Sequence, residues 1–340
     1  MCIKRNSLAS LALAVLIASV FTSCGHGPKR VELKGRAQGT YYSIIYYTPD
    51  ATNYKAEIDS ILNDYDMSMS VYNPKSLVSR INSGDTTAVA DKYLLDNLRL
   101  SDYMYHETGG AFDVSGAPLF DFWGFGSGNS DFMTKVANPQ EQDEEVKKLL
   151  EIIGFDKVSY DTVTGRVGFT QPGMRLNFNA IAQGYSVGVV CRFLDSKNID
   201  NYLVEIGGEV YAKGRNASGK MWRVGIEQPA DSSESPQNFN EVIEITDKSV
   251  VTSGNYRKYY ILDGKRYSHT IDPRTGYPAD NGVLSATVIH DDPAYADAWA
   301  TAFMVVGLDE AKKILSRHPE MTAYIIYSTD DGYGVWRNDK

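Results

Sequence analysis

Two runs rich in strand-forming residues, Tyr256–Leu262 and Arg266–Thr270, flank Asp263-Gly264. That pattern predicts an antiparallel hairpin. Hairpins of this kind are interspersed with helical stretches along the chain, without strict βαβ alternation. The arrangement selects an α+β fold, with mixed or antiparallel sheets and packed helices, over a doubly wound sheet. The surrounding run from Val251 to Pro278 also concentrates polar chemistry. Thr252-Ser253-Gly254 reads as a polar turn whose glycine lets backbone amides approach a ligand. Arg257 and Lys258 place cations beside it, and the second strand delivers His269 just before Asp272-Pro273 turns the chain again. A histidine beside amide and guanidinium donors suits an anionic, phosphate-bearing ligand. The same spacing also fits an edge hairpin with a satisfied surface histidine.

A second segment bears on chemistry. Ala294–Val306 has helical periodicity and sets Asp297 and Thr301 four residues apart, on one helical face. A carboxylate and a hydroxyl are hard oxygen ligands of the kind Mg²⁺ accepts, with phosphate oxygens and water completing its shell. The bland alternative is a helix-start carboxylate and a packed threonine.

Elsewhere, local patterns predict a strand over Thr40–Tyr47 and helices over Tyr54–Met69, Asp91–Thr108, Glu141–Ile153 and Ala180–Leu194. A strand is expected to end near Phe178, and Phe155–Tyr160 with Arg166–Thr170 to form a hairpin. Leu203–Ile206 and Glu209–Lys213 read as strands meeting at Gly207-Gly208. Trp222–Glu227, Val242–Ile245 and Ala323–Tyr327 read as further strands, and Leu308–Arg317 as a helix. The aromatic, glycine-rich stretch 120–138 reads as a loop lining something.

The N-terminus carries a targeting pattern. Lys4 and Arg5 precede an apolar stretch of thirteen residues, Leu8 to Val20, too short for a comfortable permanent span. Thr22-Ser23-Cys24-Gly25 then resembles a bacterial lipoprotein signal, with Phe21 where Leu is commoner. The expected division is a signal over 1–23, a polar tether over 24–34 and a body over 35–340, as one large domain or two interleaved subdomains. Its product would be a membrane lipoprotein anchored through a lipidated Cys24 and facing the periplasm; the alternative is an ordinary cleaved signal. Loss of residues 1–23 removes two basic residues and no acids, so the body is more acidic than the whole chain's net charge of −9. Such a body without a basic stripe argues against nucleic-acid binding. Of the three cysteines only Cys191 remains inside the body, which excludes a disulfide framework and a cysteine metal site.

Seven blocks stand in order along the chain: Gln38-Gly39-Thr40, Met69–Pro74, Gly109–Ser115, Pro118-Leu119, Asn177–Tyr185, Thr252–Pro278 and Asp297–Thr301. Together they resemble the ApbE-type FAD:protein FMN transferases over about Gly35 to Ala323. The resemblance implies an ApbE-like, T-fold-related architecture. It also implies Mg²⁺-dependent transfer of FMN from FAD to a Ser or Thr hydroxyl of a redox flavoprotein partner, with AMP released. The alternatives are FAD hydrolysis to FMN and AMP, and a non-catalytic FAD-binding lipoprotein.

Residue by residue, the resemblance implies metal ligation by Asp297, Thr301 and the backbone carbonyl of Ala180. It implies flavin contacts from Gln38, Tyr72, Ala111, Phe112, Asp113, Asn177, Gln183 and Ile271. His269, with an ordinary imidazole pKa of about 6.5, is either the base for the incoming hydroxyl or a contact to flavin or phosphate. Ser253, Gly254 and Arg257 either hold phosphates or serve the hairpin. The chain departs from the family pattern at Asn177, where Asp is usual, and at Gln183, where Lys or an acid is usual. Further departures are Gly188, where Asp is usual, and Gln38, where Met is common.

Overall fold

The computed structural model describes residues 27–126, 139–227, 239–255, 259–262 and 265–339. Strand β1 (Lys29–Ala37) begins inside the stretch expected to be a tether. It pairs antiparallel with β2 (Thr40–Thr48), Lys29 opposite Thr48 and Ala37 opposite Thr40. Its buried residues are Val31 and Leu33 alone, so its composition looks polar; pairing with β2 makes it a strand. The tether boundary at residue 34 is therefore corrected to lie before Lys29.

Five helices follow among the described residues. In α1 (Lys55–Met69), Ile58, Leu62, Tyr65 and Met69 recur at helical spacing and turn inward. A short α2 (Leu77–Asn82) leads to α3 (Lys92–Glu107), whose start is capped by the Asp91 carboxylate accepting from the Leu94 N–H at 2.9 Å. Gly109 and Gly110, at φ 58° and 81°, end it as expected. Helix α4 (Ala117–Phe122) occupies the start of the stretch read as an aromatic loop, a correction for residues 120–122, and residues 127–138 lie outside the described ones. Helix α5 (Pro139–Ile152) precedes the small hairpin of β3 (Val158–Tyr160) and β4 (Val167–Phe169).

No strand ends near Phe178. Residues 177–181 form a turn, with the Ile181 and Ala182 N–H groups both donating to the Phe178 carbonyl. Helix α6 (Ala182–Ser196) therefore starts two residues later than periodicity suggested. The strands β5 (Tyr202–Ile206) and β6 (Glu209–Lys213) meet at the glycine pair. A hairpin of β7 (Trp222–Glu227) and β8 (Phe239–Ile245) precedes β9 (Lys248–Gly254). Thr252-Ser253-Gly254 is thus the end of a strand rather than a turn, because all three residues pair with the later β14. The predicted hairpin appears as β10 (Tyr259–Leu262) and β11 (Lys265–Ser268), paired antiparallel; Tyr256–Lys258 and Asp263-Gly264 lie outside the described residues. The two-residue strands β12 (Ile271–Asp272) and β13 (Tyr277–Pro278) bracket a turn. Then come β14 (Val283–His290), α7 (Pro293–Val306), α8 (Leu308–Arg317), β15 (Thr322–Thr329) and β16 (Gly332–Arg337).

Eight strands form one sheet in the order β1-β2-β5-β6-β9-β14-β15-β16, and every neighbouring pair is antiparallel. Alternation decides what each face meets. Tyr42, Ile44 and Tyr46 of β2 pack with Val187, Val190 and Leu194 of α6 and with Ile58 and Leu62 of α1. Ile45 and Tyr47 point the other way, toward Trp222 and Ile245 of the β7–β8 hairpin. Helix α7 is buried along most of its length, its Ala296, Ala298, Ala300 and Ala302 allowing close approach on several sides at once. Cys191 is buried and unpaired in the helix layer, as its solitary place in the body required. No helix among the described residues is long and apolar enough to cross a membrane.

Candidate functional site

The site begins where α6 and α7 touch. Gly184 lies in the first turn of α6, where N–H groups lack intrahelical acceptors or have only just acquired them. Its N–H donates to Asp297 Oδ2 at 2.9 Å. In an uninterrupted α-helix that N–H would take the carbonyl four residues earlier, which belongs to Ala180. The carboxylate on α7 thus replaces the Ala180 carbonyl as acceptor, and Ala180 lines the adjoining cavity. A side chain at position 184 would prevent this approach, since its Cβ would sit 2.6 Å from Asp297 Cβ and 2.3 Å from the Pro293 oxygen. One turn beyond Asp297, Thr301 Oγ1 lies 3.1 Å from Ser253 Oγ at the end of β9.

These groups face a cavity of 480 Å³, within the range of small-molecule sites. Its walls come from segments far apart in the chain. The turn after α3 contributes Ala111, Phe112 and Asp113; the turn before α6 contributes Asn177, Asn179 and Ala180. Gln183, Glu209, Ser253, His269, Ile271, Asp297 and Thr301 complete its polar and inner surfaces, and Tyr72 stands at its edge, 62% exposed. Among the described residues, every predicted site residue except Gln38 therefore lines one cavity. Gln38 sits in the β1–β2 turn at φ 52°, with both amide atoms of its side chain buried and unpaired. Arg257 and Lys258 lie outside the described residues.

Local bonds explain how each wall is held. Phe112 N–H donates to Thr108 Oγ1 at 3.0 Å, and Asp113 Oδ1 accepts from the Ser115 N–H at 2.8 Å. Asn177 N–H donates to the Val114 carbonyl at 2.7 Å, which joins the two turns. Asn177 Oδ1 accepts from the Asn179 N–H, and the Asn179 amide donates to the Tyr72 hydroxyl at 2.9 Å. Asn177 thus uses its oxygen as an Asp carboxylate at this position could, without the charge. Gln183 packs over Gly207, whose φ of 69° and lack of Cβ make room for it.

His269 follows β11 and precedes the buried Thr270, whose carbonyl accepts from the Ala279 N–H at 2.9 Å. Its ring meets Phe125 edge-on with centroids 6.2 Å apart. Behind it, Arg274 Nε and Nη2 bind the two oxygens of Asp272 at 2.9 and 2.8 Å. Trp123 Nε1 donates to the Gly276 carbonyl at 2.7 Å. Asp272-Pro273 is thus a rigid buttress for the segment carrying His269 and Ile271.

The described lining residues are acidic in balance. Among the described lining residues are three carboxyl groups, Asp113, Glu209 and Asp297, and no Lys or Arg. Burial pushes the Asp113 carboxyl up to about 6 against the opposing help of Ser115. Burial also raises Asp297 and Glu209, and Glu209 is raised further by the Asp297 charge. The nearby donor set of Asp297 carboxylate, Thr301 hydroxyl and Ala180 carbonyl is all hard oxygen, which fits a hard divalent cation. The orphaned Glu209 Oε2 agrees with that fit.

Glu209 was not singled out from the sequence. The signal lay in alternation: Tyr211, two residues on, packs into the helix layer, so Glu209 shares that face and places an acid where an apolar side chain is the rule. Asn179 was likewise read only as part of a motif, and its bond to Tyr72 spans the turn before α6 and the end of α1.

Comparison with known proteins agrees with the geometry. Residues 38–326 match the ApbE family. The FAD:protein FMN transferase of Vibrio cholerae is 36% identical over 341 residues, covering 97% of this chain and 96% of that protein. The Haemophilus influenzae FAD:protein FMN transferase is 33% identical over 342 residues, covering 96% and 95%. The solved structure of the flavin transferase ApbE from Vibrio cholerae superposes with a TM-score of 0.80 at 32% identity, over 92% of this chain and 98% of that one. With its turns, helix pair and cavity assembled from blocks that span nearly the whole body, the chain belongs to the ApbE family.

Proposed function

We propose that the protein transfers FMN from FAD to a hydroxyl group on a partner flavoprotein, releasing AMP, and that it uses Mg²⁺ to do so. The observation that carries this reading is the convergence of Asp297, Thr301 and Ala180 at one cavity whose other walls carry the residues that the resemblance assigns to the flavin, Gln38 excepted. Asp297, Thr301 and the Ala180 carbonyl would hold Mg²⁺, which when bound supplies charge neutralisation at the diphosphate of FAD.

The chain's own residues orient and protect the reaction. Tyr72, Phe112, Asp113, Asn177, Gln183 and Ile271 would seat the flavin, the aromatic rings by stacking and the amides by hydrogen bonds. The acceptor Ser or Thr oxygen attacks the phosphorus of the FMN phosphate, and a P–O ester bond forms. The anhydride P–O bond breaks, AMP leaves with the electron pair, and the hydroxyl proton passes to an imidazole nitrogen of His269. The rigid Asp272–Arg274 turn holds that imidazole over the cavity, which favours the near-attack geometry. Redox proteins outside the cytoplasm are the partners this reading requires, with the enzyme tethered through lipidated Cys24 and facing the periplasm.

Incubation with FAD, Mg²⁺ and a candidate flavoprotein domain tests the reading. AMP release matched by covalent flavin on the acceptor supports transfer. Free FMN without labelled acceptor supports hydrolysis instead, and FAD binding with no AMP under any metal supports a carrier. Cys24→Ala should move the protein from the detergent phase to the aqueous phase after expression with its signal; unchanged partitioning would exclude the lipid anchor.

A further inference from the structure

The glycine pair between β5 and β6 sets up a second acid. Gly207 and Gly208, at φ 69° and 111°, reverse the chain in two residues, and Glu209 opens β6 opposite Ile206. Tyr211 packs into the helix layer while Ala212 faces the β7–β8 hairpin, so alternation turns Glu209 toward α6 and α7. It is 8% exposed, its Oε2 has no hydrogen-bond partner, and it lines the cavity together with Asp297. Both carboxyl groups face that one cavity from elements, β6 and α7, that touch each other. No Lys or Arg among the described residues lines the cavity to offset them.

A buried carboxylate with one oxygen unsatisfied, sharing a cavity with another, is unfavourable unless something positive joins them. A small divalent cation meets that need, and hard cations are commonly held by one or two carboxylates with the remaining positions left to phosphate and water. A merely structural acid would instead have its second oxygen satisfied by a backbone or side-chain donor. We infer that Glu209 is the second carboxylate of the cation site, acting with Asp297. This assignment rests on the reading that a divalent cation works in this cavity. It adds that the cation is retained by the protein before any nucleotide arrives.

Binding of Mn²⁺ alone tests this, followed by the loss of the free-ion electron paramagnetic resonance signal in wild type, E209Q and D297N. Glu209→Gln removes the charge while keeping the shape, and metal-free thermal melts check the fold; E209D supplies the comparison should E209Q not fold. Wild type should bind Mn²⁺, and E209Q should bind it about 10–100-fold more weakly. Equal affinity in E209Q and wild type, with D297N impaired, overturns the assignment of Glu209 and leaves the cation site standing. Absence of Mn²⁺ binding by wild type overturns it as well. The transferase reading fails separately, if wild type with FAD, Mg²⁺ and acceptor releases no AMP.

Discussion

Gly184 and Gly188 lie one turn apart on α6 and both face Pro293, which makes them a matched pair for testing how the cation cradle is built. Replacing either by Ala should gain about 1 kcal/mol of helix propensity. The surroundings differ. A Cβ at position 184 would stand 2.3 Å from the Pro293 oxygen, 3.0 Å from the Pro293 carbonyl carbon and 2.6 Å from Asp297 Cβ. At position 188 the nearest atoms are Arg192 Nη1 at 3.3 Å and Pro293 Cγ at 3.5 Å, the first being the tip of a flexible side chain. Relief at 184 requires α6 and α7 to part by roughly 1 Å, and overpacking of this kind costs about 1–3 kcal/mol. Propensity cancels between the two variants, so Gly184→Ala should be less stable than Gly188→Ala by about 1–3 kcal/mol in urea denaturation without metal. The same displacement would lengthen the bond from the Gly184 N–H to Asp297. A shift of that size at a catalytic group lowers the rate by about 100-fold, whereas Gly188→Ala should retain normal AMP release. Equal stabilisation of the two variants would refute the idea that the missing Cβ at 184 sets the helix–helix distance and holds Asp297 in place.

Two further outcomes follow from the site. Burial raises the Asp113 carboxyl from its ordinary 3.8 to about 6, so between those values the unfolded chain is ionised while the folded one keeps its proton. The folded state then binds more protons, and this group makes stability fall as pH rises through that window; Asp113→Asn should remove the loss. The variant's stability relative to wild type should climb by about 2 kcal/mol from pH 4 to pH 7, and a flat difference curve would disprove the shift. His269→Gln should slow transfer to the acceptor by about 10²–10⁴-fold while Mn²⁺ affinity stays unchanged; a loss below about tenfold would favour a binding contact over proton transfer.

Local chemistry made much of this protein readable. The inward spacing of Ile58, Leu62 and Tyr65 in α1, the Asp91 cap and the Gly109-Gly110 stop of α3, and the glycine bend between β5 and β6 are all decided by neighbours within a few residues. The motif blocks, matched as a set, identified the residues that the fold then gathered around one cavity, with Gln38 the exception. Sheet partners were not readable. Strand β1 is polar by composition, and β9 ends in Thr252-Ser253-Gly254, which by itself looks like a turn; each becomes a strand only when a partner from elsewhere supplies its hydrogen bonds.

The sequence by itself determined the α+β class, the local elements and the residue types able to bind flavin, phosphate and a hard cation, because these depend on periodicity, capping and donor chemistry. Only the tertiary structure decided that Gly184 hands its N–H to Asp297, that Thr301 meets Ser253, and that Glu209 lies buried in the same cavity with its Oε2 unsatisfied. Those relations join groups separated by as many as 113 positions. They exist only once an antiparallel sheet has fixed which face each strand turns toward the helices.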